Sequence, residues 1–88
     1  MTYAIEFRPM ARKVLERLPR TLRSRIKEAL RALRDNPYPT GSAKLNTPRG
    51  CYYRVRVGSY RIIYEVAHEI RVVTIIRVGH RKDVYRIF

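Results

Sequence analysis

Acidic residues are scarce in this chain: 7 Asp plus Glu stand against 20 Lys plus Arg, a formal charge of +13. Such self-repulsion costs stability and normally signals a polyanionic partner. Cysteine and histidine are scarcer still, with Cys51 alone and two scattered histidines. That excludes an intramolecular disulfide, a thiolate metal cage and a zinc site built by histidines unaided, so no metal and no cofactor is expected; a reducing cytoplasm fits best. No stretch approaches the roughly 20 apolar residues that cross a bilayer, and the opening MTYAIEFRPM has no basic segment followed by an apolar run. The chain is therefore expected to be cytoplasmic, neither exported nor embedded. Internal repeats, low-complexity tracts and linkers are also missing. With 88 residues there is no room for a second core, and 1–88 reads as a single domain.

What is present is a globular composition, 45% hydrophobic, in which 16 of the 20 cations are arginine. A chain this size buries on the order of 60–65% of its unfolded surface, enough for one core. Arginine favours planar, bidentate contact with phosphate and stacking on bases over point-charge attraction.

Tyr3 to Arg8 alternates Tyr3, Ile5 and Phe7 with Ala4, Glu6 and Arg8, the period of a strand with one buried face. Pro9 suits the first turn of a helix carrying Met10, Val14, Leu15 and Leu18 at helical spacing. Pro19 opens a second helix, striped by Leu22, Ile26, Ala29, Leu30 and Leu33, which Asn36-Pro37 ends. Residues 37–50 hold three of the five prolines and two of the four glycines and read as a loop, with Lys44-Leu45 an anchored point within it. Three strands follow, Tyr52 to Val57, Tyr60 to Ala67 and Ile70 to Val78, around turns at Gly58-Ser59 and His68-Glu69. The expected fold is α+β: an antiparallel sheet of four strands with an N-terminal helical hairpin packed on one face, in the order β-α-α-β-β-β.

A two-residue turn at Gly58-Ser59 pairs Val57 with Tyr60, Arg56 with Arg61, Val55 with Ile62 and Arg54 with Ile63. One face of the hairpin then carries Tyr53, Val55, Val57, Tyr60, Ile62, Tyr64 and Val66. The other carries Arg54, Arg56, Arg61, Ile63 and Glu65. Like charges directly opposite each other destabilise an antiparallel pair unless an anion lies between them, and Glu65 alone is insufficient. A solvated open sheet face explains any one of these arginines; three in one register point to a phosphate site. On the helices, Lys13, Arg17, Arg20, Arg23 and Lys27, continued by Arg31 and Arg34, form a basic face suited to nucleic-acid phosphates, and Lys44, Arg49 and Lys82 are further RNA-binding candidates.

After the last strand comes Val78-Gly79-His80-Arg81-Lys82-Asp83-Val84-Tyr85, where Gly79 permits a sharp departure and the following residues offer an imidazole, two cations and a phenol. Together, YRVRVGSYRIIYEV from Tyr53 and VGHRKDVY from Val78 resemble the RelE branch of the RelE/ParE toxin superfamily, and the resemblance extends over nearly the whole chain. It implies a RelE-like fold and a metal-independent, ribosome-dependent endoribonuclease that cleaves messenger in the A site by attack of the 2′-hydroxyl on the adjacent phosphate. It also implies an acidic, RelB-like antitoxin as partner, the 70S ribosome and mRNA as targets, and operator DNA bound only through the antitoxin complex. By the same resemblance, Arg54 and Arg56 stand where the best-studied member has lysines, Arg61 and Arg81 match its arginines, and Tyr85 matches its essential tyrosine. His80 stands where that member has a lysine. Ending at Phe88, the chain is expected to lack the longer C-terminal helix of some relatives.

Internal cleavage requires a base at the 2′-hydroxyl, cations around the phosphorane-like transition state and an acid for the leaving 5′-oxygen. A guanidinium titrates above about pH 12 and donates protons poorly, so Arg54, Arg56 and Arg61 suit charge stabilisation and Arg81 suits holding phosphate. His80 and Tyr85 are the proton-transfer candidates, and the residues alone do not choose between them. Two rival readings are a ParE-like gyrase inhibitor and a non-catalytic nucleic-acid-binding module.

Overall fold

The computed structural model describes residues 2–81. The chain forms β1 (Ala4–Phe7), α1 (Pro9–Arg17), α2 (Arg20–Asp35), β2 (Ala43–Thr47), β3 (Gly50–Val57), β4 (Tyr60–Ala67) and β5 (Val72–His80). The five strands lie in the order β1-β5-β4-β3-β2, with β1 parallel to β5 and every other neighbour antiparallel.

Both helices start where proline makes a free start possible. Pro9 occupies the first turn of α1, where its missing N–H would have had no partner, and Pro19 precedes α2 in an extended conformation. Asn36, with φ −148°, ends α2 ahead of Pro37. Ala11 and Leu15 of α1 and Ile26, Leu30 and Leu33 of α2 pack on Tyr3, Val57, Ile62, Tyr64, Val73, Ile75 and Val78 of the sheet. The helical hairpin thus covers one sheet face, as the spacing of apolar residues predicts.

The fold departs from expectation in four places. It has five strands, because Ala43–Thr47 pairs with β3. Ala, Lys and Asn are weak strand formers, so this edge strand owes its existence to pairing and to Leu45 packing against Tyr52 and Ile63. The sheet is mixed, since the chain crosses over so that β1 lies parallel to β5. The last strand begins at Val72, leaving Ile70 71% exposed in the preceding turn, and runs through Gly79 to His80. Finally, Met10 is 62% exposed, outside the helical stripe to which its spacing assigns it.

A bulge in β5 decides which residues face outward. Tyr64 pairs with Ile75, but Ile63 pairs with Arg77, so Ile76 is an extra residue. Strict alternation from Val73 and Ile75 would have turned Arg77 into the core. The insertion turns it out, sets Val78 opposite Ile62 and leaves both valine and isoleucine essentially solvent-free.

Candidate nucleic-acid interface

The hairpin joining β3 and β4 builds the centre of the site. Gly58, at φ 59°, takes the first central position of its two-residue turn, a conformation that side chains disfavour. A Cβ there would also meet the Arg25 guanidinium at 3.5 Å. The resulting register is Val57 with Tyr60, Arg56 with Arg61, Val55 with Ile62 and Arg54 with Ile63, as the turn predicts.

Arg54, Arg56 and Arg61 accordingly share the face that the helices leave open. The Arg61 guanidinium donates to the Gly58 and Tyr60 carbonyls, both at 3.2 Å, and so is held at the hairpin tip. Arg54 Nε is shielded from solvent without a hydrogen-bond acceptor. Glu65 lies four residues along β4, about 13 Å from Arg61. It pairs at 4.0 Å with Arg8 rather than with the cluster.

Arg81 joins the tip through its main chain, its N–H donating to the Ser59 carbonyl at 2.9 Å. His80 pairs across the ladder with Tyr60, the two rings meeting edge to face at 5.9 Å. That position belongs to the helix-covered side, whereas Arg56, Arg61 and Gly79 form the row on the other side. Tyr85 and Lys82 lie outside the described residues.

The further RNA-binding candidates divide between the two sides. Arg49, in the turn from β2 to β3, borders a groove on the open face together with Arg8 and Arg77. Its turn is closed by Thr47, whose hydroxyl donates to the Gly50 carbonyl at 2.9 Å and accepts from the Arg49 N–H at 3.1 Å. Lys44 pairs with Tyr53 and so belongs to the opposite face. Lys13 and Arg17 on α1 and Arg20, Arg23 and Lys27 on α2 sit on the helices that cover that same opposite face. Arg77 escapes sequence reasoning because only the bulge turns it outward, and nothing in RVVTIIRV signals where the extra residue falls.

Two phenols, Tyr38 and Tyr64, have raised proton affinity. At the end of the sheet remote from the hairpin tip, the His68 ring stands between two phenols, Tyr3 at Nδ1, 3.0 Å away, and Tyr38 at Nε2. Tyr64 donates to the Pro37 carbonyl at 2.7 Å. Burial pushes both Tyr38 and Tyr64 up from 10.0 to about 12. These phenols lock the loop after α2 to the sheet, and the basic face is a matter of position and charge. Among the described residues no three His, Cys, Asp or Glu side chains cluster as metal ligands.

The same architecture and sequence recur in characterised toxins. A family model described as the ParE toxin of type II toxin–antitoxin systems matches residues 5–85. Toxin RelG of Mycobacterium tuberculosis is 34% identical over 98% of this chain and 99% of its own length. The mRNA interferase toxin RelE of Escherichia coli is 32% identical over 93% of this chain and 86% of its own. In structure, RelE from the archaeal RelE–RelB complex of Pyrococcus horikoshii superposes with a TM-score of 0.81 at 30% identity, covering 96% of this chain and 100% of that one. By sequence and topology alike, the chain belongs to the RelE/ParE family of toxins of type II toxin–antitoxin systems, with RelE toxins among its relatives.

Proposed function

We propose that this toxin is a ribosome-dependent endoribonuclease that cuts messenger in the A site by attack of a 2′-hydroxyl on the adjacent phosphate. The observation that carries this reading is the Arg56–Arg61 pair, two like charges directly opposed in the ladder with Arg54 and Arg77 in the next outward-facing row. Such an arrangement is unfavourable by itself and becomes favourable when a phosphate lies against it. The activity named for the Escherichia coli relative supports the substrate class.

In this mechanism the guanidinium groups of Arg54, Arg56 and Arg61 stabilise charge on the phosphorane-like transition state, and Arg81 holds the phosphate. Proton transfer falls to Tyr85; the His80 ring meets Tyr60 on the helix-covered side, away from the arginine row. The nucleophile belongs to the substrate, and no step is assigned to a metal. A basic helical side, with Lys13, Arg17, Arg20, Arg23 and Lys27, docks on ribosomal RNA; Lys44, Arg49 and Lys82 add contacts to nucleic acid. An acidic, RelB-like antitoxin neutralises the +13 charge, a partnership supported by the RelE–RelB complex of the archaeal relative. Operator DNA is reached through that complex, and the toxin acts in the cytoplasm.

The test is cleavage of ribosome-bound message, read by toeprinting. Arg61→Ala and Tyr85→Phe are each expected to abolish cutting while the protein stays folded; full cutting by either folded variant removes the assignment. A 2′-deoxy nucleotide at the cleavage site is expected to resist, because the nucleophile is then missing. The ParE description of the matching family model favours one second reading, gyrase inhibition. Gyrase-mediated DNA breaks without message cleavage would establish it.

A further inference from the structure

Beside the hairpin cluster, the open face holds an unassigned groove of about 480 Å³, bordered by Arg8, Arg49 and Arg77 and walled by Met10, Tyr52 and Ile76. Its volume is within the roughly 300–1,000 Å³ typical of small-ligand sites. Three features of the fold converge to make it. The β5 bulge turns Arg77 outward beside Ile76. The Arg8 N–H, donating to the Ile75 carbonyl at 2.9 Å, fixes the start of α1 against β5. The Thr47 bonds fix the Arg49 turn.

The floor is apolar although it lies on the face that α1 and α2 leave uncovered: Tyr52 and Ile63 are buried, with Leu45 and Ile76 packed against them. Met10 is exposed at its edge. The rim is cationic. Arg8 meets Glu65 only at 4.0 Å, with both side chains well exposed, a pairing of little strength. Arg54 and Arg77 are both ladder partners of Ile63, hence about 10 Å apart across the floor. The next outward-facing row, Arg56 and Arg61, is two residues further along the strands, about 7 Å away. Cationic positions therefore continue without a break from the hairpin tip into the groove.

We propose that this groove seats a nucleotide of single-stranded RNA adjoining the cleaved linkage, its base against Ile76, Tyr52 and Met10 and its phosphate among Arg8, Arg49 and Arg77. The inference rests on the ribonuclease reading above and extends it by naming a second subsite. A nucleotide joins a flat, weakly solvated ring to an anion, which is what an aromatic and aliphatic floor inside an arginine rim complements. Methionine adapts to such a ring without fixing its identity. An acidic peptide supplies the anion but leaves the floor without a matching flat group.

The test measures fluorescence anisotropy of an end-labelled RNA hexamer, made uncleavable by 2′-deoxy nucleotides, against the full-length toxin. Arg49→Ala/Arg77→Ala is expected to weaken binding by about tenfold at low salt and to flatten the log–log salt dependence by about 0.7 for each phosphate no longer neutralised. An Arg49→Lys/Arg77→Lys variant is expected to recover most of the salt slope, which a merely misfolded protein would not do. Replacing one nucleotide next to the cleavage position by an abasic unit is expected to weaken the wild type and leave the alanine variant unaffected. Unchanged affinity and slope in the alanine variant overturn the proposal. So does displacement of the RNA from the wild type by a glutamate-rich peptide whose own binding, and not that of RNA, depends on Arg49 and Arg77; the groove then belongs to a protein partner. Should the wild type fail to cut ribosome-bound message, the ribonuclease reading falls by that separate measurement, whatever the hexamer shows.

Discussion

The two faces of this sheet are made by the same strands and behave as different materials. On the helix-covered face Ile62, Tyr64, Val73 and Ile75 have no exposed surface, and among the described residues no polar or charged residue is buried in the core. On the open face a small apolar patch, Tyr52 with Ile63, is surrounded by Arg49, Arg54, Arg56, Arg61 and Arg77. The period of two along each strand is what permits this. One face holds the chain together, and the other accumulates positive charge. Stability and the proposed function are therefore expected to be separable by substitution, position by position.

The largest test of that separation is in β5. Ile75→Ala removes a fully buried side chain and is expected to cost about 2–5 kcal/mol, a large share of the 5–15 kcal/mol typical of a domain. Ile76→Ala, one residue on and facing the groove, is half-buried and is expected to cost much less. Urea unfolding of the two variants makes the comparison. Equal costs would mean that the open face is as firmly packed as the covered one.

The same adjacent pair shows how far the sequence could be read. The arginines of the β3–β4 hairpin were legible because a two-residue turn at Gly58-Ser59 admits one register, and register sorts side chains without further information. Both helices were legible from their stripes and from Pro9, Pro19 and Pro37. β5 was not legible in the same way. Its bulge is a tertiary solution to an arginine in an otherwise apolar run, and it alone decides that Arg77 faces the groove while His80 meets Tyr60 on the other side. β2 was hidden for a related reason: Ala, Lys and Asn give AKLNT little strand propensity to display, and pairing with β3 imposes its conformation. Met10 kept its helical spacing but ended at the groove, because α1 presents Ala11 and Leu15 to the core instead.

Tyr64 provides an intermediate effect confined to the covered face. Burial holds its folded-state value at about 12 against an unfolded 10.0. The neutral phenol is the form the fold prefers, so its contribution is complete below pH 10 and is lost as pH rises from 10 toward 12. The shift corresponds to at most roughly 3 kcal/mol. Wild-type stability is expected to fall across that window as phenolate absorbance rises. Tyr64→Phe leaves the Pro37 carbonyl without its donor, and so is expected to cost about 1–3 kcal/mol at neutral pH while weakening the alkaline decline. An unchanged alkaline decline in Tyr64→Phe would assign that decline to other groups.

The smallest effect belongs to the open face and has the opposite sign. Arg56 and Arg61 face each other in the ladder, and Glu65 is engaged with Arg8 instead. Removing one charge by Arg56→Thr, which keeps a good strand former in place, is expected to raise stability by about 0.2–1 kcal/mol at low salt. The gain should shrink toward zero as the screening length falls to roughly 3 Å near 1 M salt. Cleavage of ribosome-bound message is expected to drop in the same variant. Lower stability at low salt would show that Arg56 contributes more through its aliphatic stem than it costs through repulsion, and that the basic face is packed rather than held open for an anion.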